Sequence, residues 1–479
     1  MAARFKKHRS VPSRTGLPGR FRTAALALAL TGTLAACGGA DGQVTQPVVG
    51  GFVGEVAADE PRAALVARDI LAKGGNAADA AAALGLALSV SLPSRASLGG
   101  GGACLAWRPG ESGGQAFVFV PQGASQSDAA SDRPASVPML ARGLFLMQMR
   151  YGSVDFADLV VPARNMASHG VPVGGLLASD LAAVQSSLLA DDKARAVFGN
   201  ENGHVLGVDD VMVQSRLAGS LERLRIAGVG DLYTGALAQT FVEGAQGAGG
   251  GLSGKDLRAD VPVAEPPLTV HANGVDISFL PPPADGGVGM AASFLANGRG
   301  GDRVVAAWRA RQSGKGSSVS VADAQSLLNS GSLSAGGALP ALPASTSFVV
   351  TDRQGETVAC ALSMNNLFGT GRIAGSTGIV LGASPAQRPQ PLLAAAIAHQ
   401  GTTQFRAAAA ASGQNVAADT AAIALQAALA GVRPQVTNGN GRANFVSCPG
   451  GLPSDSGRCF GWTDPRGAGL AVGSVSVAH

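Results

Sequence analysis

A serine at position 345 stands where its type and its surroundings could do chemistry. Ser345 opens an apolar, β-prone run that a turn at residues 352–355 folds back, and a weakly charged segment rich in small residues, 330–343, precedes it. If the bond between Ala344 and Ser345 breaks, the new α-amino group, with a pKa of about 7.7 to 8.0, can take the hydroxyl proton near neutral pH. The pattern therefore predicts a chain that cuts itself and then hydrolyses amides. Thr346 is the competing nucleophile if the register shifts by one residue.

The segments that must position this serine predict helices packed on sheets. Asp59 is a candidate cap for a helix with Pro61 in its first turn, and Asn76 caps a second helix over residues 77–90. That second helix is apolar nearly all round, so we expect it to be buried between layers. Strands are predicted at residues 103–107, 116–120, 348–351, 357–362 and 470–477. This order of strands, helices and strands predicts a layered α+β sandwich.

The amino-terminal segment has the composition of a secretory signal. Residues 1–36 contain seven basic side chains, no acidic one and a short apolar run at 24–30, and they end with small residues before Cys37. The run is too short for a membrane span, which needs about 20 residues. We expect a lipoprotein signal peptide, a lipidated Cys37 and a tether at 37–50, with the protein anchored to the bacterial cell envelope and facing the periplasm or the exterior. A plain signal peptide with a chance cysteine is the alternative.

Charge and histidine spacing exclude other classes of function. The seven basic residues of the signal account for the positive formal charge of the whole chain, +4, so this charge gives no support for a nucleic-acid partner. The histidines lack the spacing of metal ligands, and we expect neither a metal nor a cofactor.

The cysteines beyond the signal divide into two kinds. Cys448 and Cys459 flank a turn rich in Gly, Pro and Ser, and in an oxidising compartment we expect them to form a disulfide that closes a hairpin. Cys104 and Cys360 each lie within an apolar, strand-like run, where we expect buried, inert thiols.

Several short motifs together resemble those of the γ-glutamyltransferase (glutathione hydrolase) family of N-terminal nucleophile hydrolases, over most of the chain after residue 52. They are KGGNAADAA at 73–81, LGGGG at 98–102, LYTG at 232–235, the proline and glycine corner at 281–287, the segment 345–355, FGTG at 368–371 and DPR at 464–466. The resemblance implies a four-layer αββα sandwich. It also implies a large-subunit part at 51–344 and a small-subunit part at 345–479, which remain associated after cleavage between Ala344 and Ser345.

The resemblance also assigns roles to individual residues. Ser345 stands at the position of the family's nucleophilic threonine and Ser363 at that of a second hydroxyl beside it, which makes both candidate catalytic residues. Asn365 matches a substrate-binding asparagine. Gly413 and Gln414 stand where the family has two glycines whose amides stabilise the oxyanion.

The charged groups that hold a γ-glutamyl substrate in the family have no counterpart here. Residues 117–122 contain no arginine for the α-carboxylate, and residues 384–387 contain no acid for the α-amino group. Leu393 and Ala394 replace a pair of serines. The resemblance implies a self-processing amide hydrolase or acyl transferase for small amides or peptides, with γ-glutamyl compounds such as glutathione as candidate substrates. The alternative is a non-catalytic envelope lipoprotein with the same fold.

Overall fold

The computed structural model describes residues 51–124, 131–313, 320–331, 336–386, 389–435 and 439–473. The expected signal peptide, Cys37, the tether and the end of the last predicted strand lie outside these ranges. No helix in the described part is both long and apolar enough to cross a membrane.

The strands of the described residues form two large antiparallel sheets and one two-stranded ribbon. They are β1 (Gly54–Ala58), β2 (Gly101–Trp107), β3 (Gln115–Phe119), β4 (Val171–Pro172), β5 (Val211–Met212), β6 (Val263–Glu265), β7 (Leu268–Ala272), β8 (Val275–Phe279), β9 (Ser345–Asp352), β10 (Thr357–Ser363), β11 (Ala394–Gln400), β12 (Gln404–Ser412), β13 (Arg442–Leu452), β14 (Phe460–Thr463) and β15 (Leu470–Val472). The first sheet has the order β15-β1-β9-β10-β2-β3-β6, the second has the order β14-β13-β12-β11-β8-β7, and β4 pairs with β5. Strands from both sides of Ser345 therefore contribute to each large sheet.

The helices cover the outer face of each large sheet. They are α1 (Pro61–Ala72), α2 (Ala77–Ser91), α3 (Leu140–Tyr151), α4 (Phe156–His169), α5 (Gly175–Leu188), α6 (Asp192–Phe198), α7 (Ser215–Ala227), α8 (Asp231–Thr234), α9 (Ala236–Gly247), α10 (Gly254–Ala259), α11 (Gly286–Leu295), α12 (Gly301–Gln312), α13 (Val321–Asn329) and α14 (Ala417–Leu429). Helices α1 to α4 share one apolar core with the first sheet, and α11 to α14 share another with the second. A third core lies between the two sheets, so the fold is the predicted four-layer αββα sandwich.

Small side chains let the two sheets approach each other. Along β12, Ala408 and Ala410 belong to the core between the sheets, while the alternate residues Ala407 and Ala409 face the helices of the second sheet. This division follows from the two-residue repeat of a strand. A chain with only 4% aromatic residues can fill such a core because alanine, valine and leucine pack closely.

The first two helices agree with the sequence in position but differ in one cap. Helix α2 is buried along its whole length, and Asn76 caps it in a capping box with Asp79, as predicted. Asp59 was the wrong cap for α1: the carboxylate of Glu60 accepts the N–H of Ala63 at 2.7 Å instead. Asp59 is turned to other partners, which are described with the site.

The structure corrects the prediction for one pair of cysteines. Cys104 of β2 and Cys360 of β10 are directly opposite each other and form a disulfide, with their Cα atoms 4.1 Å apart. The prediction of two inert thiols was therefore wrong. A second disulfide joins Cys448 and Cys459, the pair that the sequence indicated.

Candidate active site

Strand β9 begins at Ser345, and this residue pairs with Ser363 at the end of β10. Side chains alternate along a strand, so Ser345 shares a face with Val349, which packs in the core between the two sheets. Only 1% of Ser345 is exposed. The first residue of the strand is thus held between the layers, as a fixed nucleophile requires.

The bond that precedes Ser345 has a hydrogen-bond donor in place. The hydroxyl of Ser363 donates to the carbonyl oxygen of Ala344 at 2.8 Å, and the backbone N–H of Asn365 donates to the hydroxyl oxygen of Ser363 at 3.0 Å. A donor at a carbonyl oxygen stabilises the negative charge that develops there when a nucleophile attacks the carbon. Two of the predicted site residues, Ser363 and Asn365, therefore meet at the predicted cleavage point.

Asp59 holds the beginning of β9 from the side. Its carboxylate accepts the N–H of Ser347 and the hydroxyl of Thr346, each at 3.0 Å, the side-chain amide of Asn444 at 2.8 Å and the hydroxyl of Ser412 at 3.3 Å. Burial raises the pKa of Asp59 above its usual value, although the hydrogen bonds from Asn444, Ser347 and Thr346 oppose this. The hydroxyl of Thr346 is thus already engaged, whereas that of Ser345 lies next to the susceptible bond.

Arg95 is a second charged residue that contacts the beginning of β9. Its guanidinium forms two hydrogen bonds with Asp180, at 2.7 and 2.8 Å, and donates to the carbonyl oxygen of Ser345 at 3.2 Å. Burial alone would lower the pKa of Arg95, but the ion pair with Asp180 outweighs it and raises the pKa above its ordinary value. The cation is therefore permanently charged beside Ser345, the predicted nucleophile.

The sequence did not identify these supporting residues. Asp59 was interpreted as a helix cap, and Arg95, Asp180 and Asn444 carried no motif signal. They lie far from Ser345 along the chain, and only the fold brings them to it. An acid directly after a short apolar strand and an asparagine within another were the available signals, and both are common in sheets.

Asn365 has features of a binding residue. Its backbone has a φ of 56°, and its side-chain amide donates to the carbonyl oxygen of Ala383 at 3.1 Å. Its side-chain oxygen is buried and has no hydrogen-bond partner among the described residues. A buried acceptor without a partner is costly, and a ligand N–H could satisfy it.

A cavity of about 370 Å³ lies beside this asparagine. Residues 366–371, Ala383 and Ser384 form part of its wall, and Asp132 and Arg133 supply charged groups. Arg133 donates to the carbonyl oxygen of Thr370 at 2.9 Å. The cavity is large enough for a small amide substrate.

Residues 117–120 and 393–394, where the resemblance places an arginine and a pair of serines, are apolar in this structure, whereas Ser384, in the segment expected to carry an acid, is polar and lines the cavity. Phe117 and Phe119 face the helical core, and Val118 and Val120 face the second sheet. Leu393 is 1% exposed in the core between the sheets, and Ala394 is buried against the helices. These residues stabilise the fold by burial and offer no partner to a zwitterion.

The loop at Gly413 and Gln414 keeps the backbone shape of a glycine pair. Gly413 has a φ of 132°, and a Cβ atom there would lie 2.5 Å from the Cα of Gly441. Gln414 adopts a left-handed φ of 55°. The next residue, Asn415, contacts the segment that precedes Ser345, so this loop belongs to the same site.

Known proteins resemble this chain in sequence and in fold. A family model described as Gamma-glutamyltranspeptidase matches residues 63–297. The chain is 30% identical to the glutathione hydrolase proenzyme of Escherichia coli strain K12 over 382 residues, which are 68% of this chain and 65% of that protein. It is 29% identical to the proenzyme of Bacillus subtilis strain 168, over 49% of this chain and 43% of that protein. The chain thus spans less than two thirds of the length of either relative.

Among solved structures, the fold is similar to that of a cephalosporin acylase from Bacillus halodurans. The TM-score is 0.69 with 19% identity, over 89% of this chain and 96% of that one. At this identity the likeness shows the fold alone. The chain is therefore similar in sequence to Gamma-glutamyltranspeptidase over residues 63–297 and to glutathione hydrolase proenzymes, and it is similar in fold to the cephalosporin acylase.

Proposed function

We propose that this protein cleaves itself between Ala344 and Ser345 and then acts as an amide hydrolase or acyl transferase. The observation that carries the proposal is the hydrogen bond of 2.8 Å from the hydroxyl of Ser363 to the carbonyl oxygen of Ala344, at the first residue of strand β9. The engaged hydroxyl of Thr346 supports Ser345 as the nucleophile.

Self-cleavage would proceed through an ester. The Ser345 oxygen attacks the carbonyl carbon of Ala344, and Ser363 stabilises the negative oxygen that forms. The bond from that carbon to the Ser345 nitrogen then breaks, and the nitrogen takes the proton of the hydroxyl. Water hydrolyses the resulting ester, which leaves Ala344 with a carboxylate and Ser345 with a free α-amino group.

Turnover would repeat this chemistry on a substrate. The free α-amino group accepts the proton of the Ser345 hydroxyl as the oxygen attacks an amide carbonyl, and it then protonates the departing amine. Water or another amine takes the acyl group from the serine ester. The fixed strand and the preorganised donors replace a separate histidine and aspartate.

Glutathione and other γ-glutamyl compounds are candidate substrates because the curated relatives are named glutathione hydrolases. The buried, unpartnered oxygen of Asn365 supports binding of a substrate N–H. The apolar residues at the anchor positions count against a zwitterionic glutamyl group, since charges removed from water need partners. A non-catalytic envelope lipoprotein remains the second candidate function on the strength of those missing anchors.

The proposed location is the cell envelope, with lipidated Cys37 as a membrane anchor. The basic and apolar pattern of residues 1–36 and the small residues before Cys37 support it. Two disulfides in the described part fit an oxidising compartment. Replacement of Cys37 by serine should move the protein from the membrane fraction to the soluble fraction, and unchanged fractionation would contradict the anchor.

A reducing gel tests self-cleavage. The purified wild-type chain should resolve into two bands, and amino-terminal sequencing of the smaller band should begin at Ser345. Ser345→Ala should remain one band, whereas Ser454→Ala, at an exposed serine, should split like the wild type. A single band for the wild type would support the non-catalytic alternative, and a new terminus at Thr346 would change the nucleophile.

A further inference from the structure

The segment that precedes Ser345 lies against two kinds of neighbour, an apolar cluster and the side chain of Asn415. The surface that they form is called the groove below. The side chain of Leu342 is 2% exposed and packs in a small apolar cluster with Val305, Leu392, Ala417 and Ala418. No member of this cluster carries a charge or a polar side chain. The groove therefore favours an aliphatic group at this place.

Asn415 forms hydrogen bonds with the backbone of the same segment. Its side-chain oxygen accepts the N–H of Leu342 at 2.9 Å, and its amide donates to the carbonyl oxygens of Pro340 at 2.9 Å and Leu339 at 3.3 Å. Hydrogen bonds to backbone groups recognise a peptide irrespective of its side chains. The apolar cluster and Asn415 thus form an acceptor for a peptide that ends at Ala344.

From these contacts we infer that this groove is the acyl-binding site of the mature enzyme and takes short peptides with an aliphatic side chain two residues before the acyl residue. The inference rests on the proposed self-cleavage. The ester formed during cleavage joins the peptide Leu342-Pro343-Ala344 to the Ser345 oxygen beside a free α-amino group. That species has the same connectivity as the acyl-enzyme of turnover, so the first acyl group that the site processes is this peptide.

The replaced anchors point to the same class of substrate. A γ-glutamyl group would need a cation and an anion as direct partners, and the cluster around Leu342, with Leu393 directly after Leu392, supplies neither. After cleavage, departure of the segment would leave the apolar cluster and the Asn415 amide without partners. A peptide substrate satisfies both.

The test uses chromogenic anilides and wild-type protein that has already split on a reducing gel. Acetyl-Leu-Pro-Ala p-nitroanilide should be hydrolysed with a kcat/KM at least tenfold above that of acetyl-Asp-Pro-Ala p-nitroanilide, because a carboxylate cannot be paired in the apolar cluster. Asn415→Ala should raise the KM for the leucine peptide several-fold with little change in kcat. Asn202→Ala, at an exposed loop, is the matched control and should leave both constants unchanged.

The outcomes separate the inference from the proposed function. Hydrolysis of γ-glutamyl p-nitroanilide without hydrolysis of the leucine peptide, or equal rates for the leucine and aspartate peptides, would overturn the inference and leave the amide hydrolase in place. Split protein that hydrolyses no anilide would overturn both. Because the comparison of substrates needs no variant, it stands even if Asn415→Ala fails to mature.

The Cys104–Cys360 disulfide supports a second proposal. Cys104 lies before Ser345 and Cys360 lies after it, and the two form a disulfide between adjacent central strands. We propose that this disulfide holds the two chains together covalently after self-cleavage. Both cysteines have no exposed surface, so small reductants have poor access to the bond in the folded protein.

Formation of this disulfide is a two-electron oxidation of two thiols. The two thiols lose two protons and two electrons to a disulfide-bonded oxidant of the cell envelope, which leaves as a dithiol after thiol–disulfide exchange. The Cys448–Cys459 disulfide lies wholly within the second chain and cannot connect the two. It therefore provides an internal control.

Denaturing gels with free thiols blocked test the cross-link. Wild-type protein should run as one band without reductant and as two with it, whereas Cys360→Ser should show two bands in both lanes. The double variant Cys448→Ser/Cys459→Ser should behave like the wild type. Two wild-type bands without reductant would overturn the cross-link, and one band in both lanes would overturn self-cleavage.

If Cys360→Ser does not fold, mass spectrometry of unreduced wild-type digests should detect a peptide pair containing Cys104 and Cys360, and free thiols there would overturn the proposal.

Discussion

Ser363 is the residue whose contact defines the predicted cleavage point. Its hydroxyl donates to the carbonyl oxygen of Ala344, and removal of one such donor costs about 10² to 10³ in rate in hydrolases. We expect Ser363→Ala to slow the appearance of the two chains by about that factor, and Ser363→Thr to restore most of the rate. A time course of the split on reducing gels measures this. An unchanged rate in the alanine variant would show that Ser363 does not act on the scissile carbonyl.

Asp59 is the residue that anchors the start of strand β9. Its hydrogen-bond partners among the described residues are all donors, so Asp59→Asn would turn one amide N–H toward a group that already donates. We expect the free energy of unfolding to fall by about 1–3 kcal/mol, the usual cost of a buried group without a partner. Urea denaturation in the non-splitting Ser345→Ala background measures it, with Asp192→Asn at an exposed site as control. Equal stability of the two would contradict the anchoring role.

At the scale of elements, the start of helix α2 is joined to the hairpin of β9 and β10 by two acids. Asp352 accepts the N–H of Ala77 at 3.2 Å, and Glu356 accepts that of Ala78 at 3.1 Å. Burial raises the pKa of Asp352 to about 6, and burial together with the nearby Asp352 raises that of Glu356 to about 8. The contact is thus between a helix terminus and carboxyl groups that hold their protons more tightly in the folded state.

The raised pKa values of these carboxyl groups determine whether the stability of the fold rises or falls with pH. A carboxyl group with a raised folded pKa contributes stability that is full below its unfolded value, near 4.5 for Glu356, and that is lost as the pH rises through about 8. We expect the melting temperature of Ser345→Ala protein to decrease across this window, and Glu356→Gln to flatten the decrease. Differential scanning calorimetry from pH 5 to pH 9 checks it; a variant with the slope of its parent would rule out Glu356 as the titrating group.

At the scale of the whole molecule, alanines set the distance between the two sheets. Ala408 of β12 lies in the core between them with no exposed surface. Ala408→Leu adds volume to a close-packed core, and we expect a loss of about 1–3 kcal/mol in the free energy of unfolding. Ala322→Leu on the exposed side of α13 adds the same atoms without this cost, and urea denaturation compares the two. Equal stability would mean that the layers can separate to admit larger side chains.

Whatever depends on neighbouring residues could be predicted from the sequence. The start of a strand at Ser345 follows from an apolar run between a weakly charged segment and a turn, and the burial of α2 follows from apolar residues on every side. The pair Cys448 and Cys459 is separated by only 11 positions, so a local turn is enough to join them. The family motifs extended these local inferences to the layered fold and to Ser363 and Asn365.

The tertiary structure decided the contacts between distant parts of the chain. Cys104 and Cys360 are 256 positions apart, and only the register between β2 and β10 makes them partners. Asp59 could be a helix cap by its neighbours alone, and the proximity of β9 and β13 makes it an anchor for strand β9. The physical reason is that local sequence sets the backbone preference of each element. Which side chains meet across elements depends on the packing and register of the whole chain.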